Sequence, residues 1–153
     1  MSYDDLLIES TKEGLIVKEA PLASADGRLD GNRIAIRQNI DTTTEKACIL
    51  AEEIGHYHTA AGNILDQTQT TNRKQEQAGR LWAYDKQIGL SGIIQGHRAG
   101  CRSQYELAEL LGVTEKFLQD AINCYRSKYG AIVQLDDYTI MFEPCLAVIE
   151  KIE

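Results

Sequence analysis

The sequence predicts an α+β fold: a single, predominantly helical domain with a small sheet. Three observations predict it. Apolar and polar residues alternate over short stretches, in "NRIAIRQN" and "AIVQLDDYTIMFE". A long helical segment contains "NRKQEQAGRLWAYDKQIG". Further on, "LGVT" joins two helical stretches in helix-turn-helix grammar. A chain of 153 residues, 43% hydrophobic and 25% charged, is long enough to bury the core such a domain needs.

"YDDLLIESTKEG" reads as a short helix stopped at Gly14, a residue that readily adopts the left-handed conformation after a helix end. "LIVKEA" is a strand closed by Pro21, and "PLASADGRLDG" is loop chemistry, rich in Gly, Asp and Ser. Arg33 to Arg37 should be a strand with Ile34 and Ile36 on one face. Asp41 and Thr42 to Thr44 are candidate N-caps for a helix from about Thr43 to Ala60, with Glu45 in its first turn. "GNILDQTQTTN" is a second loop, followed by a long helix from Thr70 to Gly89 and a short one over Ser91 to Arg98. Helices over Ser103 to Leu111 and Thr114 to Tyr129 flank the "LGVT" turn, and a β-hairpin turns at Asp136-Asp137. Residues 1–100 would hold the sheet and the chemistry-bearing helices, 101–130 the helix-turn-helix-like pair, and 131–153 the hairpin tail.

Composition excludes several functions. The net charge of −7 argues against direct nucleic-acid binding, which rests on neutralising phosphates. No apolar run could span a bilayer, and "MSYDDLLIES" lacks a signal peptide's basic and apolar regions, so the expected location is the cytoplasm. Cys48, Cys101, Cys124 and Cys145 are widely spaced and read as buried thiols in a reducing compartment.

The chemistry concentrates in "LAEEIGHYHTAAG", which nearly matches the zinc-protease pattern H-E-x-x-H. Here it reads E-E-I-G-H, with Glu52 in the first ligand position. Residues four apart share a helix face, so Glu52 and His56 could hold one ion. Glu53, about 100° around the helix, stands where a general base belongs. Hydrolytic sites usually take three protein ligands, and Glu76 on the next long helix is the candidate third. Gly55, Ala78, Gly79 and Ala83 would let the two helices approach closely. E-E-x-x-H taken alone favours a plainer reading: a solvated acidic face with His56 half-buried.

Other candidates are weaker. His58 lies about 200° from His56 and reads as a partly exposed polar residue. Cys48 shares the Glu52 face and reads as a structural thiol. His97 and Cys101 are four apart, but Gly96 and Gly100 should break any helix there. Tyr105, Leu107, Leu110, Leu111, Val113, Phe117, Leu118 and Ile122 read as core, giving the helix-turn-helix-like pair a structural role, with protein docking second. Trp82 and Tyr84 read as packing. The "NRIAIRQN" strand could be an edge that pairs with an extended substrate, or one that merely completes the sheet.

Residues 47–89 and 98–130, "ACILAEEIGHYHTAAGNILDQTQTTNRKQEQAGRLWAYDKQIG" and "RAGCRSQYELAELLGVTEKFLQDAINCYRSKYG", resemble the ImmA/IrrE family of metallopeptidases in its short phage and mobile-element branch, and roughly residues 1–130 follow it. The resemblance implies a gluzincin-like core, with a small sheet against the motif helix and an acidic third ligand from a second helix. It maps metal ligands onto Glu52, His56 and Glu76, and the catalytic base onto Glu53. It implies a divalent metal, zinc first. The carboxylate at Glu52 makes a harder donor set and shifts preference toward manganese or iron(II). It also implies a helix-turn-helix repressor as substrate, or as the partner of a catalytically silent anti-repressor that binds without cutting.

Overall fold

The structure, a computed structural model, describes residues 1–60 and 69–152. The class is α+β and predominantly helical, as expected. Contacts cluster into two compact units, Met1–Lys86 and Gln87–Glu153.

The first unit begins with α1 (Tyr3–Lys12). Ser2 and Asp5 form a reciprocal capping box at its start, satisfying two backbone N–H groups that the helix leaves open. Gly14, at φ +81°, turns the chain into β1 (Ile16–Ala20). Next come β2 (Gly27–Asp30) and β3 (Arg33–Arg37), the latter with the expected bounds. Ile34 and Ile36 are buried together, as the alternation required. β3 is the central strand, parallel to β1 and antiparallel to β2. Two expectations fail here. The stretch 27–30 is a strand, not loop: its pairing with β3 decides the matter, since Gly, Arg and Asp around a lone Leu29 carry little strand propensity. And β3 is no edge, so it cannot take up an added strand; β1 and β2 flank it.

Helix α2 (Thr43–Thr59) packs on α1, β2 and β3. Thr42 caps it by accepting the Glu45 N–H at 3.1 Å. α3 (Gln69–Gln87) follows. The loop expected over 62–72 lies largely outside the described residues, and its last part, from Gln69, is already helix.

The second unit holds α4 (Gly89–Arg98), α5 (Gln104–Leu111), α6 (Glu115–Tyr129), β4 (Ile132–Leu135), β5 (Tyr138–Met141) and β6 (Ala147–Glu150). Ser103 and Thr114 cap α5 and α6, and Gly112, at φ +68°, ends α5 in the left-handed conformation. Leu107, Val113, Phe117, Leu118 and Ile122 are buried as expected, but Tyr105 (60% exposed) and Leu110 (43%) sit on the outer face of α5 and are not core. Gly96 does not break α4, which runs through it; Gly100, at φ +82°, follows its end. The hairpin turns at Asp136-Asp137, and the sequence reading missed its third strand, β6. Among the described residues no helix is long and apolar enough to cross a membrane.

Candidate active site

The site is built where α2 runs between the small sheet and α3. The deeply buried face of α2, Ala47, Leu50, Ala51 and Ile54, anchors it in the core of the first unit. Glu52, Glu53 and His56 are half-buried, and Glu76 is exposed.

Two glycines set the approach of α3. A Cβ added at Gly55 would collide with the Gly79 carbonyl oxygen and lie 3.3 Å from Cε3 of Trp82. A Cβ added at Gly79 would run into the His56 imidazole. The backbones therefore meet at these positions, and the His56 ring lies over the space that Gly79 leaves open. Ala83 is fully buried, as close packing required, whereas Ala78 is exposed and plays no part in it.

This packing brings His56 to Glu76. Nε2 of His56 lies 3.6 Å from Oε2 of Glu76, and the other carboxylate oxygen, Oε1, lies 3.3 Å from Nη2 of Arg80, one helical turn on. A gap of 3.6 Å is too long for a hydrogen bond. It suits two donors sharing an ion: at about 2.0–2.2 Å from a tetrahedral centre, two ligands stand about 3.3–3.6 Å apart. The pair by itself supplies two donors, short of the three protein ligands that a hydrolytic metal site usually takes. Glu52 is not gathered in with them, and among the described residues no group of three His, Cys, Asp or Glu side chains is arranged to hold an ion.

The Glu53 carboxyl is strongly shifted. Burial, then the neighbouring charges of Glu52 and Glu76, push its pKa up from 4.5 to about 7. Both causes disfavour the anion. A carboxyl poised near neutrality is suited to exchange protons with a reacting group. What lies beside it left no sign in the sequence. β2 passes so close that a Cβ at Gly27 would stand 2.8 Å from Oε1 of Glu53 and 2.9 Å from Cγ2 of Ile49. A side chain there would have to displace the Glu53 carboxyl or the Ile49 side chain.

The remaining candidates fall outside the site. His58 is exposed, as expected, but it has partners that the sequence did not foretell. Its Nε2 lies 2.7 Å from Oε2 of Glu13, and its ring stacks on Trp82 at 4.9 Å. Trp82 and the buried Tyr84 pack as expected, and Cys48 is a buried thiol.

The family model of the IrrE N-terminal-like domain, Peptidase_M78, matches residues 11–123. The chain belongs to this family. The match spans both α2 and α3, so the His56–Glu76 pair and Glu53 lie within a domain of metallopeptidase type, which implies a divalent metal. No curated protein and no solved structure matches the chain.

Proposed function

We propose that this M78-family protein is a metal-dependent endopeptidase that acts in the cytoplasm on a helix-turn-helix repressor of a phage or mobile element. The observation that carries the peptidase reading is the half-buried Glu53 carboxyl, with its pKa near 7, on the same helix as a His56 imidazole that meets Glu76 at ion-sharing distance. The repressor substrate rests on the resemblance of residues 47–89 and 98–130.

His56 and Glu76 would hold the metal, with Glu52 as a third ligand whose side chain would have to turn toward them; zinc comes first, with manganese or iron(II) as alternatives. When bound, the ion supplies Lewis acidity toward the scissile carbonyl and the attacking water. Glu53 takes the proton from that water and later returns it to the leaving amine, a transfer its raised pKa favours in both directions. The half-buried setting weakens the screening of these charges by solvent.

Substrate docking falls to β2 instead of β3. β2 pairs only with β3 among the described residues, so its outer edge is open. The Asp26 carbonyl accepts the Arg37 N–H at 2.8 Å, and in an antiparallel ladder inward and outward residues alternate. Gly27 and Leu29 therefore turn their N–H and C=O groups outward. An extended peptide added there would run past Gly27, against which Glu53 packs.

A second reading has its own support: carboxylate replaces imidazole at position 52, which weakens the fit to zinc and favours a silent anti-repressor that binds the repressor without cutting. Calorimetric zinc titration of EDTA-treated protein separates the two. The peptidase reading expects zinc uptake by the wild type. It also expects tighter binding by Glu52→His, on the order of tenfold or about 1.4 kcal/mol. Negligible uptake by both proteins would sink the ligand role of Glu52 and favour the silent reading.

A further inference from the structure

Of the four cysteines expected to be buried thiols, only Cys48 is buried; Cys101 and Cys124 are half-buried and Cys145 is exposed. Cys101 and Cys145, far apart in sequence, line one cavity of about 290 Å³ in the second unit, with Ile93, Leu107 and Val148 as its apolar wall. From the shared cavity and the unequal exposure of the two thiols we propose that Cys101 and Cys145 are a reversible redox pair, joined as a disulfide on oxidation. The pair lies within the second unit and does not depend on the metal reading above.

The backbone holds both residues at the cavity. Gly100, at φ +82°, turns the chain after α4, and the Cys101 N–H donates to the Gly96 carbonyl at 3.0 Å. The Cys101 sulfur lies over Gly96, 3.9 Å from where a Cβ would stand, and Gly96 itself lines the cavity. Cys145 belongs to the short connection between β5 and β6. That connection is pinned at both ends. Phe142 is buried and its N–H donates to the Ala131 carbonyl at 2.8 Å, while Ala147 pairs with Met141. Leu146, Ala147 and Val148 line the same cavity, and β6 packs on α4. A disulfide asks for Cα atoms about 4.4–6.8 Å apart. Residues 143–146 belong to no strand, so this connection is the part of the chain that can adjust to meet that span.

Exposure assigns the order of events. Hydrogen peroxide meets the exposed Cys145 thiolate first: the sulfur takes one peroxide oxygen to become a sulfenic acid, and hydroxide leaves, to be neutralised by the proton the thiol gave up. The half-buried Cys101 thiol then attacks that sulfur; the S–S bond forms and water leaves. The two thiols have lost two electrons, which peroxide has accepted. A reducing dithiol returns both thiols by exchange. Intracellular disulfides of this kind are transient and redox-sensing.

The test treats wild type, Cys101→Ser and Cys145→Ser with hydrogen peroxide, blocks the remaining thiols and maps peptides by mass without reduction. Melting of the reduced proteins checks that the variants fold. The expected result in wild type is a Cys101–Cys145 cross-linked peptide, about 2 Da lighter than its two parts and lost on treatment with dithiothreitol. Without its resolving thiol, Cys101→Ser should accumulate sulfenic acid at Cys145, trapped by dimedone, on the order of tenfold more than wild type. Cys145→Ser should form no cross-link. A wild-type Cys145 that stays unoxidised, persists as sulfenic acid, or joins Cys124 or a second copy of the chain overturns the pair.

Discussion

Glu53→Gln is expected to lower repressor cleavage by roughly 10²–10⁴-fold, because the amide cannot take up the water's proton. The same substitution should stabilise the metal-free protein, but only above a certain pH. The folded-state pKa of Glu53 is raised from 4.5 to about 7. Below pH 4.5 the group is protonated in both states, and its contribution to stability is fully present. Between 4.5 and 7 the unfolded chain releases the proton while the folded chain keeps it, so that contribution falls as pH rises. Above 7 the anion sits half-buried beside Glu52 and Glu76, and the contribution is gone. A neutral Gln never suffers this loss. The shift alone corresponds to about 3 kcal/mol, and solvent screening of a partly exposed carboxyl reduces that to on the order of 1–2 kcal/mol. Melting curves in EDTA from pH 4.5 to 8 should show the variant's advantage growing across the window and levelling off above pH 7. A pH-independent advantage would show that Glu53 does not titrate there, and undiminished cleavage would remove it as the base.

Much of this arrangement was legible in the sequence because it follows from local pattern. The Thr42 cap and the i, i+4 spacing fixed α2 and the shared face of Glu52 and His56. The alternation of Ile34 and Ile36 fixed β3 to the residue. What was not legible depends on pairing between distant segments. Gly27 looked like a loop glycine because its reason for being glycine, the Glu53 carboxyl above it, lies 26 positions along the chain. β2 had no pattern of its own and becomes a strand through β3. The same pairing turned the presumed edge strand into the central one. Spacing likewise made Glu76 a candidate without fixing its rotamer, in which one oxygen lies near the Arg80 guanidinium and the other near the His56 ring. Tyr105 and Leu110 fit a helical core stripe by spacing alone, and only packing shows that α5 turns them outward.

Gly55→Ala and Gly79→Ala should have large effects, of different kinds, although both add a single methyl group. Each gains about 0.8–1.0 kcal/mol of helix propensity over Gly, so a helix considered alone would be stabilised. At Gly55 the new Cβ meets the backbone carbonyl of Gly79, which cannot rotate out of the way. The helices must move apart, and overpacking of this kind costs about 1–3 kcal/mol, enough to cancel or exceed the gain in propensity. At Gly79 the obstacle is the His56 ring, a side chain that can swing aside. Stability should change little there, but the ring would leave its position 3.6 Å from Glu76, parting the two proposed ligands. Gly55→Ala is thus expected to lower the melting temperature of the metal-free protein, and Gly79→Ala to keep it near wild type while weakening zinc binding. Thermal melting in EDTA and calorimetric zinc titration, run on both variants, read the two effects separately. Zinc binding by Gly79→Ala as tight as wild type would mean that the open space beside Gly79 has no part in placing the His56 ring.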